Sequence, residues 1–160
     1  MIGECEQSKY ELAGQHSLIS DWLEARQALL VAYIELANPK EGSLRPQPET
    51  DELQNFCQLL VDYVSAGHFE LYRYVMKAYE QASGKSLKIA QRIYPHIQAT
   101  TEYALQFSDK YSQPDEEQLL QLDEELNKLG PILEERFRNE DRMAAVLHIF
   151  EMLNQEDEAE

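Results

Sequence analysis

Phe56-Cys57-Gln58-Leu59-Leu60-Val61-Asp62-Tyr63-Val64-Ser65-Ala66-Gly67-His68-Phe69-Glu70-Leu71-Tyr72 holds more structural information than any other stretch of this chain. Leu53, Phe56, Cys57, Leu60 and Val64 recur at steps of three and four, the spacing of a buried helical stripe. Asp62, Ser65, Phe69 and Tyr72 or Arg73 recur at the same steps on a different face. Between them, Ser65-Ala66-Gly67 offers almost no side-chain volume. Two readings fit. A helix running through Gly67 would carry a shallow notch, with a carboxylate before it and an aromatic ring after it, suited to a basic side chain and an apolar anchor of a partner. Alternatively, Gly67 breaks one helix into two, because glycine weakens helix interiors and favours their ends.

Outward from this stretch the pattern remains helical. From about Cys5 to Ala37, Ile19, Leu23, Leu30 and Ile34 form one apolar row, flanked by Leu18, Trp22, Ala25, Leu29, Ala32 and Leu36. So wide a row implies packing against more than one neighbour. Pro39, Gly42, Pro46 and Pro48 end it, and Thr50 with Asp51 and Glu52 reads as the cap and acidic first turn of the next helix. A further helical stretch reaches Ala82, and Ser83-Gly84-Lys85 closes it. The third pattern runs from Leu87 to Tyr111 with an expected kink near Tyr94, because Pro95 removes a hydrogen bond. Ser112 is the expected cap of the last pattern, which Gly130-Pro131 should bend or split. Its apolar stripe runs through Leu133, Phe137, Met143 or Ala144, Leu147 and Phe150. No strand-like alternation occurs. The expectation is an all-α protein, an up-down four-helix-type bundle with helices broken near Gly67, Pro95 and Gly130-Pro131, forming one domain over residues 1–153 and an acidic disordered tail over 154–160.

With 14 basic against 30 acidic residues, the formal charge is −16. Nucleic-acid phosphates would be repelled by such a surface, so no direct nucleic-acid binding is expected, whereas basic partners would be attracted over long range. Acidity that serves only solubility fits the same number. Cys5 and Cys57 form no zinc spacing and no disulfide framework, and Cys57 reads as a small buried residue. The acidic start lacks the features of a signal peptide, and no apolar segment is long enough to span a bilayer. A cytoplasmic protein without membrane contact is expected, either a monomer or a weak homodimer.

Residue spacing argues against an enzyme. His16, His68, His96 and His148 fall roughly one to each long pattern, as in a metal-binding bundle, but no Glu-x-x-His pair accompanies them. No metal and no cofactor are therefore expected. Ser65 has Asp62 and His68 at helical steps, yet side chains on one face of one helix cannot converge as a triad does. His68 reads equally as a cap near Gly67 or a satisfied core histidine and as a contact to a partner. Trp22, spaced with Leu18, Ala25 and Leu29, reads first as core. Arg136 with Glu140 is an ordinary i,i+4 pair, and Phe137 with Leu133 and Ala144 reads as core.

Phe56-Cys57-Gln58, Leu60 to Tyr63 and Ser65 to Phe69 together resemble the signature of the Rsd/AlgQ family of bacterial anti-sigma factors. Leu18-Ile19, Trp22-Leu23, Arg26 and Leu30 to Tyr33 are similar to the family's first helix. Ile93-Tyr94-Pro95, Ala99, Leu133, Arg136-Phe137 and Glu140-Asp141 match later marked positions in the family's order. The resemblance covers roughly residues 15–150 and implies a protein that binds the primary sigma factor, chiefly its C-terminal helix-turn-helix domain, and keeps it from core RNA polymerase and promoter DNA. By the same resemblance Asp62, Ser65 and Phe69 form the contact face. Asp62 would pair with a sigma arginine and Phe69 would act as the anchor, while Tyr63 and His68 lie in the motif. Trp22, Arg136 and Glu140 complete the implied partner-binding set.

One departure is local. Ser20-Asp21-Trp22 stands where the family usually has Asp-Arg before the tryptophan, which moves the acid by about a hundred degrees around the helix. A cytosolic regulatory adaptor that uses the same acidic face for another protein is the alternative reading.

Overall fold

The computed structural model describes residues 17–38, 50–65 and 69–151. In chain order the helices are α1 (Ser17–Ala37), α2 (Thr50–Val64), α3 (Phe69–Gln81), α4 (Gly84–Lys110), α5 (Glu116–Leu120) and α6 (Leu122–Val146). Residues 149–151 are helical again, and no strand occurs among the described residues. Cys5, His16, the connection from Pro39 to Glu49, the segment Ala66-Gly67-His68 and the acidic tail lie outside them.

Every position of the stripe expected on α2 is buried, and Tyr63 joins it. The helix ends at Val64 and α3 starts at Phe69, so the two-helix reading of the Gly67 segment holds. On α1, Ile19, Trp22, Leu23, Leu29 and Leu36 turn inward. Ile34 does not: it is 53% exposed, and Tyr33 takes the inward position beside it.

Side-chain contacts fix the topology. Trp22 meets Tyr63 and Tyr33 meets Phe56, so α1 and α2 run antiparallel. Arg26 meets Glu140 while Tyr33 meets Leu126, which sets α6 antiparallel to α1. Arg136 meets Ile97 and Lys110 meets Glu125, so α4 is antiparallel to α6. Helices α1, α2, α4 and α6 thus form the expected up-down-up-down bundle. Helix α3 packs against α1 and reaches α4 through Tyr79, whose ring lies 5.5 Å from that of Tyr94.

The core has two unlike layers. One is aromatic: Phe56 is fully buried, its ring centroid 6.1 Å from Tyr33 and 5.9 Å from Phe107, with the latter pair edge-to-face. Such pairs add about 0.5–1.5 kcal/mol beyond area burial. The other layer, roughly two turns away, is built from charged and polar side chains.

Neither Pro95 nor Gly130-Pro131 splits its helix: α4 and α6 run continuously past them. A proline removes one backbone hydrogen bond, and burial along the rest of the helix outweighs that loss. At Gly130 the continuity has a specific partner. The Tyr33 hydroxyl donates to the Leu126 carbonyl at 2.7 Å and occupies the space in which a side chain at Gly130 would begin. The chain breaks instead at Gln121, between α5 and α6. The cap of that last unit is Asp115 and not Ser112. Asp115 accepts from the Gln118 amide at 2.7 Å while the Gln118 side chain accepts from the Asp115 amide at 3.0 Å, a complete capping box.

Candidate functional site

Helix α2 has two faces with different duties. Asp62 and Ser65 are exposed. Asp62 accepts a hydrogen bond from the Gln58 amide at 2.8 Å, one turn back, and the Ser65 hydroxyl donates to the Val61 carbonyl. Both bonds stay within the helix, so Asp62 is held in place yet retains acceptor capacity toward solvent. Phe69 opens α3, five helix-distant positions past Val64, and the side chain itself lies outside the described residues, as does His68.

Tyr63, adjacent in sequence, points the other way and is 4% exposed. Its hydroxyl accepts from Trp22 Nε1 at 3.1 Å and Arg26 Nε at 3.0 Å, and donates to Glu140 Oε1 at 2.8 Å. Arg26 is the hub. Its guanidinium lies 4.7 Å from the Trp22 ring centroid and 4.9 Å from that of Phe137, between the two rings. It also donates to Asp141 Oδ1 at 2.9 Å and Glu140 Oε1 at 3.5 Å. Planar stacking with forked donation is what a guanidinium does and an ammonium does not.

The network continues into α4. Arg136, 5% exposed, donates through one terminal nitrogen to the Ile97 carbonyl at 3.1 Å, Thr100 Oγ1 at 3.0 Å and Thr101 Oγ1 at 2.6 Å. Its Nε lies 3.6 Å from Glu140 Oε2. Glu140 therefore joins the α1–α2 half of the network to the α4–α6 half.

Electrostatics follow the geometry. Burial alone would lower the Arg26 pKa, but Tyr63, Glu140 and Asp141 more than offset it, and the guanidinium is held charged. Burial first, then Glu140, pushes the Tyr63 phenol well above its ordinary value, so it stays a neutral donor and acceptor. Cys57 is buried as the sequence implied, and burial pushes its thiol up to about 11.

Of the sequence-derived site residues, Asp62 and Ser65 share an exposed face, while Trp22, Tyr63, Arg136 and Glu140 are gathered in the interior. The roles of Arg26 and Asp141 were not read from the sequence. A signal existed: Arg26 interrupts the inward row of Ile19, Trp22, Leu23 and Leu29, and a cation on a core-facing row requires a buried acid. His96 and His148 are exposed, and no three His, Cys, Asp or Glu side chains converge on a common point among the described residues. No helix among them is long and apolar enough to cross a membrane.

The family model described as "Regulator of RNA polymerase sigma(70) subunit, Rsd/AlgQ" matches residues 1–148. The chain belongs to the Rsd/AlgQ family. Among its relatives, the Regulator of sigma D of Yersinia enterocolitica is 33% identical over 147 residues, covering 89% of this chain and 87% of that protein. The Regulator of sigma D of Enterobacter sp. (strain 638) is 32% identical over 149 residues, covering 91% and 89% respectively. The Rsd/AlgQ resemblance read from scattered motifs is thus a match along nearly the whole chain. All six residues of the polar layer (Trp22, Arg26, Tyr63, Arg136, Glu140 and Asp141) are among the positions that carried that resemblance.

Proposed function

We propose that this Rsd/AlgQ protein is an anti-sigma factor that binds the primary sigma factor, chiefly through its C-terminal helix-turn-helix domain, and blocks access to core RNA polymerase and promoter DNA. One observation carries the reading: Asp62 and Ser65 are exposed on a helix whose opposite face is locked by Tyr63 into a network joining all four bundle helices. A face fixed in this way presents its groups without paying the ordering entropy of a mobile one.

A domain that reads promoter DNA carries cations for the phosphates and base edges. An acidic bundle competes for those same cations, and occlusion requires no chemistry. Asp62 supplies the carboxylate for a sigma arginine, a charge-assisted hydrogen bond when the geometry is good. Trp22, Tyr63, Arg136 and Glu140 act from the interior by holding α2 at its angle. Long-range attraction from a net charge of −16 speeds encounter with a basic domain.

The test is Asp62→Arg. It should abolish binding to the isolated C-terminal domain of the host's primary sigma factor with helical content unchanged. Binding at wild-type strength would remove this face from the account.

A further inference from the structure

Between Glu80 and Glu102 the chain carries no aspartate or glutamate, although acids outnumber bases 30 to 14 overall. Lys85, Lys88, Arg92 and His96 stand in that interval, at helical steps of three and four along α4, and all four are exposed. The same row continues through Ala99 and Tyr103 to Lys110, which pairs with Glu125, so it borders α6. On α6, steps of three and four lead from Glu125 to Arg142, also exposed. Arg136 reaches Ile97, and Arg142 lies six residues further along this antiparallel pair, level with Gln91 and Arg92. Five basic side chains thus share one seam between α4 and α6.

Several other surface cations are matched: Lys110 pairs with Glu125, Lys128 with Glu124 and Arg138 with Glu134. Lys85, Lys88, Arg92 and Arg142 have no carboxylate partner among the described residues. The first turn of α4 holds Lys85 and no acid, so the helix dipole adds to the positive potential there. A seam of uncompensated cations on a protein of net charge −16 attracts acidic groups that the rest of the surface repels.

The chain supplies such groups itself. Glu156, Asp157, Glu158 and Glu160 stand close together at its acidic end. Helix α6 closes at Val146, ten residues beyond Arg136 and so level with the start of α4, and Glu151 is the last described residue. The residues after Glu151 therefore begin beside the Lys85 end of the seam. Extended, they reach up to about 30 Å. The seam from Lys85 to His96 spans only about 16 Å at 1.5 Å per residue.

We propose that residues 155–160 fold back onto this seam and mask it, so that an acidic segment of another protein gains the seam only by displacing them. Exposed ion pairs are individually weak, but tethering holds the segment at millimolar effective concentration. Nucleic acid is a poorer occupant, because its many phosphates meet the net negative charge as well as the seam. Helix α1 contacts α2 and α6, α2 contacts α4, and α4 contacts α6. The α4–α6 seam thus lies across the bundle from the α1–α2 side, and masking it leaves Asp62 open.

The experiment places a nitroxide on isotope-labelled full-length protein through Ala159→Cys, with Cys5→Ser; Cys57 is buried and stays untagged. At low salt, amide signals of residues 85–96 and 139–146 should broaden more than those of residues 53–62. The difference should vanish near about 1 M salt, where the screening length is about 3 Å. Lys88→Glu, Arg92→Glu and Arg142→Glu together should abolish it with circular dichroism unchanged, since all three positions are exposed. A chain lacking residues 155–160 should bind a polyglutamate peptide at least about tenfold more tightly than the full chain. Broadening that is equal on both sides of the bundle, survives the charge reversals, or arises only between tagged and isotope-labelled copies in a mixed sample would overturn the proposal. Equal affinity of the two chains for polyglutamate would overturn it as well.

Discussion

The Tyr63 hydroxyl donates to Glu140 at 2.8 Å across 77 residues of sequence, and that bond joins the helix bearing the candidate contact face to the last helix of the bundle. The same oxygen accepts from Trp22 and Arg26, so three helices meet at one atom. The aromatic layer stabilises the bundle through burial. This polar layer adds directional bonds that set helix angle and register, because each donor satisfies a particular acceptor.

Tyr63→Phe leaves Trp22 and Arg26 without their shared acceptor and takes from Glu140 its 2.8 Å hydroxyl donor. Stability should fall by about 1–3 kcal/mol, read from urea unfolding. Sigma affinity of the folded protein should change far less than in Asp62→Arg, since Tyr63 supports the face from behind. An equal loss of affinity at unchanged stability would place Tyr63 in direct contact with the partner.

Removing the hub should be more severe. Arg26→Met strips from Glu140, whose side chain is 13% exposed, one of its two neighbouring cations, leaving only Arg136 at 3.6 Å, and leaves the Tyr63 hydroxyl without its guanidinium donor. The expected loss is about 3–5 kcal/mol, the usual cost of stripping one member from a buried pair. Asp141→Asn should cost below about 1 kcal/mol, because the Asp141 side chain is 53% exposed and solvent screens its pairing with Arg26. Urea midpoints of the two variants give the comparison, and equal losses would contradict the hub assignment.

Gly130→Ala would ordinarily stabilise a helix by up to about 1 kcal/mol. Here the new methyl overlaps the Tyr33 hydroxyl, which is already engaged with the Leu126 carbonyl. Gly130→Ala should therefore lower the unfolding temperature, and its cost should shrink in a Tyr33→Phe background. Additive effects of the two substitutions would show that the close approach is not energetically coupled.

Cys57 gives the protein an alkaline limit. Its thiol moves from 9.0 to about 11 through burial, so the folded chain holds a proton that the unfolded chain releases. The contribution to stability is complete below about pH 9 and is lost as pH rises through the folded value. Tyr63 and Tyr111, also raised chiefly by burial, act in the same direction at higher pH. Denaturant midpoints should fall between about pH 9 and 11, with a shallower fall in Cys57→Ala. With Cys5 replaced, Cys57 should react with thiol reagents only as the protein unfolds.

Much of the architecture was legible because helical periodicity is a local property. The α2 stripe of Leu53, Phe56, Cys57, Leu60 and Val64 was read position by position. Spacing alone did not show that the helices continue past Pro95 and Gly130-Pro131, because that depends on tertiary packing: Tyr33 fills the volume beside Gly130 from 97 residues away. Ser112 and Asp115 both look like caps, and only the reciprocal bonds with Gln118 decide between them. Asp62 and Ser65 could be placed on one face by spacing alone. Tyr63, Trp22, Arg136 and Glu140 came from the family pattern as a set, and a linear pattern does not distinguish a contact from the scaffold beneath it. Ile34 fits the apolar row of α1 by spacing alone, and only the packing leaves it 53% exposed.

The most direct measurement is calorimetric titration of the protein with the isolated C-terminal domain of its host's primary sigma factor at low and high salt. Tight binding that weakens as salt rises is the expected result, since the contact brings carboxylates such as Asp62 against the domain's cations. A correctly folded domain that does not bind, or that binds with no dependence on salt, would contradict the account.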